Sequence, residues 1–223
     1  MKTAIIGLGN IGSRIAKNLA AGGESIIVAG RDLTKAKAFA RTLKGEVDAM
    51  PIAEAVRTAD VVILGLWFDT IREFVVAHRA SLAGKIIVDP SNPIAPDGKG
   101  GFKKIVPADQ SSGQLIARLL PEGAELVKAF GSVAAGSLET AARHKPEPFA
   151  LFYATDYPEA GRAVAKLITA SGFAPVNVGG VDQSLRIEAF GELSEYGKLG
   201  RLVTRREAEA IIDPAPALQL KSA

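Results

Sequence analysis

An apolar run, Thr3-Ala4-Ile5-Ile6, passes without a break into Gly7-Leu8-Gly9-Asn10-Ile11-Gly12 and then into an amphipathic stretch, Ile11 to Ala21. Each glycine of a G-x-G-x-x-G placed between strand and helix has a separate task. Gly7 permits the tight turn, Gly9 lets a pyrophosphate approach the backbone, and Gly12 lets helix and strand pack closely. The helix N-terminus then faces the anion. Ser25 to Ala29 reads as the next strand, which completes a βαβ unit. A glycine-rich turn with no ligand is the alternative reading of the hexapeptide.

The alternation of strand and helix continues along the chain. A helix is predicted from Asp32, its N-cap, to Leu43, and Asp60 to Leu64 is apolar almost throughout, as strands covered on both faces are. Ile71 to Ala77 is helical in pattern, Lys85 to Val88 is a further strand, and Asp89 to Gly101 is a loop dense in proline and glycine. Glu125 to Ala129 gives another strand. After a polar hinge at Arg143 to Pro148, the segment from Phe149 to Val178 reads as strand, helix, strand, and Gln183 to Ile212 as a mainly helical tail. Pro214 and Pro216 suggest a frayed end. The expectation is an α/β fold, a Rossmann-type doubly wound parallel sheet with a small C-terminal α/β and helical extension. Residues 1–145 form the dinucleotide-binding domain in this reading, and residues 146–223 the extension, a candidate for dimer contacts and one wall of a substrate cleft.

Composition narrows the function. The 223 residues, 48% hydrophobic, suffice for one good core but not for two full-sized domains. The chain has no cysteine, which excludes disulfides, thiolate metal sites and a cysteine nucleophile, and fits a cytoplasmic location. Gly7, Gly9 and Asn10 interrupt the apolar start before it reaches signal-peptide length. The longest apolar stretch, Val61 to Phe68, is too short to cross a membrane. A net charge of +3 from scattered basic residues argues against a nucleic-acid surface and suits a phosphate-bearing small molecule. No metal site is expected.

The end of the second strand distinguishes the dinucleotides, because an acid there would bond the adenosine ribose and repel a 2′-phosphate. The sequence at that point is Gly30-Arg31. A guanidinium can stack on adenine and bond the 2′-phosphate, so NADP(H) is expected rather than NAD. Lys35, one turn into the next helix, adds a second positive charge or lies on a solvated face. Asp32 caps the helix or, in the less favoured reading, binds ribose.

The chain from Lys2 to Arg206 resembles the NADP-dependent oxidoreductases of the coenzyme F420-dependent, or deazaflavin-dependent, family. The resemblance rests on the glycine fingerprint, Gly30-Arg31, Leu66-Trp67, Val88-Asp89-Pro90-Ser91-Asn92-Pro93, Val127-Lys128-Ala129-Phe130 and the stretch Phe173 to Gly179. It implies that Leu66 and Trp67 lie along the cofactor, that Asn92 and Pro93 border the nicotinamide, and that the chain forms a homodimer. Trp67 as a core residue and Asn92-Pro93 as a plain turn are the competing readings. Where the family commonly continues with asparagine and threonine, this chain has Gly131 and Ser132.

The resemblance implies hydride transfer between NADP(H) and a planar acceptor such as a deazaflavin or flavin. Such a transfer can be driven by stacking and orientation without a dedicated acid or base. Substrate-pocket candidates are Gly131, Ser132, Ser137 and His144, with a helix N-cap as the plainer role for Ser132. His78 reads as a surface residue. Lys198, Arg201, Arg205 and Arg206 recur at helical spacing, as on a solvated helix face, and Ala189, Leu193 and Leu199 permit a dimer contact. Two other functions stay open: a binding module that senses NADP(H) redox state, and a reductase of a small carbonyl compound, which would need a proton donor such as His144 or a tyrosine.

Overall fold

The computed structural model describes residues 1–212. Strand β1 (Thr3–Ile6), helix α1 (Asn10–Ala21), β2 (Ile26–Ala29), α2 (Leu33–Ala40) and β3 (Val47–Ala49) make the opening unit, and α3 (Ile52–Thr58) leads into β4 (Val61–Leu64). Next come α4 (Phe68–Ala77), α5 (Arg79–Leu82), β5 (Ile86–Asp89), a hairpin of β6 (Ile94–Pro96) and β7 (Phe102–Lys104), α6 (Ser112–Ala117) and β8 (Glu125–Ala129). The chain continues through α7 (Ala135–Thr140), β9 (Ala150–Ala154), α8 (Pro158–Ala170) and β10 (Ala174–Asn177). The described tail holds a 3-10 turn (Val181–Gln183), α9 (Ser184–Ile187) and α10 (Arg205–Ile212).

Eight strands form one sheet in the order β10-β9-β8-β5-β4-β1-β2-β3, parallel throughout except where β9 runs against β8. The apolar strands are buried on both faces, and each face has its own core. Ile5, Val28, Ile63, Val88 and Val127 point towards α1 and α8 through Ile15, Leu19, Val164 and Leu167. Their neighbours in sequence, Ala4, Ile27, Val62, Leu64 and Ile87, point the other way onto Val56, Ile71, Val75 and Ile116 of α3, α4 and α6. This period-two division is what a doubly wound sheet requires. A smaller cluster joins Phe152 and Val176 to Ile187, Leu193, Val203 and Ala208, packing the tail on the β9–β10 end. Among the described residues no helix is long and apolar enough to cross a membrane.

The α/β doubly wound expectation holds. The tail does not: between Ile187 and Arg205 the chain makes turns rather than helix. Its glycines explain the difference. A side chain on Gly191 would overlap the Leu185 carbonyl oxygen, one on Gly197 would overlap that of Gly191, and Gly200 has φ +63°. Of the four basic residues at helical spacing, only Arg205 and Arg206 lie in a helix; Arg201 instead pairs with Glu207 at 2.9 Å. Ala189 and Leu193 are buried within the chain, and Leu199, partly buried, packs against the cluster that holds Leu193, so the three form no free apolar face. Pro214 and Pro216 lie outside the described residues.

Candidate functional site

The chain leaves β1 towards β2 on one side and β4 towards β5 on the other, so a crevice opens at the carboxyl ends of β1 and β4. The glycine loop lies there. Gly7 has φ +93°, and a Cβ on it would stand 2.6 Å from the Gly65 carbonyl oxygen. A Cβ on Gly12 would overlap the Gly7 carbonyl oxygen, and one on Gly65 would come within 2.7 Å of the Gly12 Cα. These three glycines interlock the β1 turn, the start of α1 and the end of β4. Gly65 was not singled out from the sequence; its position directly after a buried strand beside the fingerprint was the available signal.

Gly9 differs from them. A side chain there would meet no protein atom within 4 Å, so nothing in the fold requires glycine at that position. Gly9 caps α1 without a side-chain hydrogen bond, and the first turn of α1 carries no acid, which leaves its amides and positive dipole end facing the crevice. Asn10 is exposed, whereas Leu8 and Ile11 are half-buried against the core. The interlocked glycines make the cradle, and open space over Gly9 is what a pyrophosphate needs.

At the end of β2, Gly30 also opens onto space and Arg31 is exposed, with no ion pair among the described residues. Asp32 does not compete for a ligand: its Oδ1 accepts the Lys35 backbone N–H at 3.0 Å, the N-cap bond expected of it. Lys35 is exposed on α2. Beyond β4, Leu66 is half-buried against the glycine turn, while Trp67 is 61% exposed at the N-cap position of α4. The core reading of Trp67 is therefore wrong.

Asn92 follows β5 at the same end of the sheet, and Pro93 beside it is buried. The Asn92 side chain donates through Nδ2 to the Gly131 carbonyl at 2.9 Å and accepts the Ala189 N–H through Oδ1 at 2.7 Å. It thereby ties the β5 loop to the end of β8 and to the tail, which a turn serving only its own backbone would not do. A Cβ on Gly131 would press on the Pro90 carbonyl oxygen at 3.0 Å, so the departure from asparagine at this position accompanies close packing of the two loops.

The remaining pocket candidates separate. Ser132 is buried and its hydroxyl has no partner among the described residues; it is not the cap of α7, whose N-cap is Ala134. The carboxylate of Glu195 takes that role, accepting the Ala134 N–H and the Ser137 hydroxyl at 2.7 Å each. Because Glu195 arrives from a distant turn, local sequence gave no signal of it. His144 is exposed, stacked on Phe149 at 4.2 Å with Nδ1 2.9 Å from the Glu147 carbonyl oxygen. Tyr153 packs within the core face against α8, and burial pushes its hydroxyl above the usual tyrosine range.

Beneath the Asn92 loop lies a buried ionic cluster. Lys128, 1% exposed, donates to Asp89 Oδ2 at 2.8 Å, to the Ser112 hydroxyl at 2.7 Å and to the Ser91 carbonyl, and Glu188 Oε1 lies 3.7 Å away. Glu188 also accepts the backbone N–H groups of Ser112 and Gly113, each at 3.0 Å, and Asp89 Oδ1 accepts that of Ser91 at 2.8 Å. Four segments distant in sequence are fastened together below the loop that carries Asn92. Among the described residues no cluster of side chains has the makings of a metal site.

Comparison with known proteins agrees with this geometry. Residues 2–93 match the family model described as NADP oxidoreductase, coenzyme F420-dependent. The chain is 27% identical over 199 residues to the F420-dependent NADP reductase of Methanothermobacter thermautotrophicus, covering 84% of this chain and 85% of that protein. It is also 27% identical over 188 residues to rat metalloreductase STEAP3, of which it spans only 36% of the length. A solved structure of the hypothetical protein SMa0349 from Sinorhizobium meliloti superposes with a TM-score of 0.80 at 29% identity, covering 92% of this chain and 96% of that one. The residues that match the coenzyme F420-dependent NADP oxidoreductase family model, 2–93, are those that build the glycine crevice and the strands beside it.

Proposed function

We propose that the protein transfers hydride between NADP(H) and a planar redox acceptor of the deazaflavin or flavin type. The observation that carries the dinucleotide assignment is the pairing of an exposed guanidinium, Arg31, which makes no ion pair among the described residues, with an acid, Asp32, already committed to capping α2. An NAD-selective site needs a free carboxylate at this corner. Gly7, Gly9 and Gly12, with Leu8, Asn10 and Ile11 between them, hold the pyrophosphate; Gly30, Arg31 and Lys35 hold the adenosine end. Leu66 and Trp67 run along the dinucleotide, and Asn92 and Pro93 border its nicotinamide end.

When bound, NADPH would supply one hydride, that is, a proton together with two electrons, to the acceptor ring, which would leave NADP+. The chain's part is to orient and to exclude water. Asn92, both ends of its amide bonded to protein, fixes the height of the β5 loop against which the nicotinamide end rests. Neither His144 nor Tyr153 is set up as a proton donor in that crevice, and a transfer between two rings does not require one. The partner is accordingly a small planar molecule.

Arg31→Ala is expected to weaken NADPH binding by roughly ten- to a hundred-fold, the worth of about 1.5 to 3 kcal/mol for a charge-assisted bond, and to leave NADH binding nearly unchanged. Calorimetric titration of both nucleotides into wild type and variant checks this. An equal loss for both nucleotides would contradict the 2′-phosphate role.

A further inference from the structure

We infer that Phe190 is the surface against which the acceptor ring stacks, and so a determinant of which acceptor the site takes; this rests on the hydride-transfer reading above. Three non-glycine residues have left-handed backbone, Phe130 at φ +66°, Arg143 at φ +62° and Phe190 at φ +71°. Bulky side chains rarely adopt this conformation, and they keep it only where the surroundings fix it. The Asn92 amide bonds the residue after Phe130, Gly131, and the residue before Phe190, Ala189. Two of the three left-handed residues thus flank one clamp at the nicotinamide end of the crevice.

Packing accounts for one of them. Phe130 is fully buried, so its ring is part of the core. Phe190 is 49% exposed, and burial does not explain why a large apolar ring occupies a strained position in contact with solvent. Its backbone is held from both sides. Glu188 is anchored in the Lys128 cluster, Ala189 donates to Asn92, the Gly191 N–H bonds the Glu188 carbonyl at 2.8 Å, and the Leu193 N–H bonds the Arg186 carbonyl at 2.8 Å. Glycine at 190 would adopt the same backbone without strain. A phenyl ring kept there, rigidly mounted beside Asn92, is preorganised for a flat partner and loses little freedom on binding it. The 61% exposed Trp67, at the end of β4, lies on the same carboxyl edge of the sheet.

The test uses the full chain saturated with NADP+, titrated with riboflavin and with 5-deazariboflavin and read by fluorescence quenching, for wild type, Phe190→Tyr and Phe190→Gly. Removing the ring is expected to weaken binding of both probes by about ten-fold or more, as loss of one aromatic stacking partner does, while tyrosine keeps it within about three-fold. NADPH affinity stays unchanged in both variants. The thermal midpoint of Phe190→Gly stays within about 2 °C of wild type or rises, because glycine removes the left-handed strain as the half-exposed ring is lost.

Wild-type affinity for the probes in Phe190→Gly, in an enzyme that oxidises NADPH with them, overturns this inference and leaves the hydride-transfer reading standing. So does a midpoint lowered by more than about 5 °C with probe binding intact, which would make the ring a packing element. Wild-type protein that neither binds the probes nor oxidises NADPH with them overturns both.

Discussion

Lys128→Met is expected to destabilise the protein by about 3 to 5 kcal/mol, the cost of breaking a buried ion pair from one side. For a chain of this size that lowers the thermal midpoint by roughly 6 to 20 °C. Methionine fills much of the space of the lysine stem but leaves Asp89 and Glu188, both buried, without their shared cation. Adding Asp89→Asn and Glu188→Gln removes the uncompensated charge and is expected to recover a large part of the loss, although the amides reproduce only some of the bonds to Ser91, Ser112 and Gly113. Thermal unfolding of the single and triple variants reads this directly. A single variant as stable as wild type would mean that the cluster does not hold these segments together.

Gly9→Ala and Gly12→Ala are expected to weaken NADPH binding by different physical routes. At Gly12 the new methyl would occupy the space of the Gly7 carbonyl oxygen, so the turn or the start of α1 must move; overpacking of this kind costs about 1 to 3 kcal/mol and lowers the midpoint along with the affinity. At Gly9 the backbone conformation, φ −76° and ψ −160°, suits alanine, and the methyl would meet no protein atom within 4 Å. The protein should therefore unfold at the wild-type temperature and yet bind NADPH about ten- to a hundred-fold more weakly, because the methyl stands where the pyrophosphate must approach. Undiminished NADPH binding by Gly9→Ala would remove the ligand from this loop.

The parts of the fold written in local pattern were legible in the sequence. Strands β1, β2, β4, β5 and β8 are apolar nearly throughout, and α1, α2 and α8 carry clear periodicity or caps, so their order and the doubly wound class followed. The short β3 and α3, the β6–β7 hairpin and α6 were not recognised, since three to seven residues give too little repeat to separate from loop. The tail misled because basic residues at helical spacing outweighed the glycines among them.

In the candidate site, the glycine turn and the exposed position of Arg31 were legible because each depends on its immediate neighbours in sequence. The Asn92 clamp, the Glu195 cap and the Lys128 cluster could not, because each joins residues 58 or more positions apart in at least one of its bonds. One clue was present: a lysine within the apolar Val127-Lys128-Ala129-Phe130 of a buried strand demands buried acids, although the sequence does not say which.

Hydride transfer from NADPH to a planar acceptor is measured most directly by following the reduced-nicotinamide absorbance of the purified full chain with riboflavin, FMN and a 5-deazaflavin, with NADH in parallel. The proposed function predicts saturable oxidation of NADPH by at least one of these acceptors and much slower oxidation of NADH. Tight NADPH binding with no oxidation by any of them would contradict the reductase assignment and leave a nucleotide-binding module in its place.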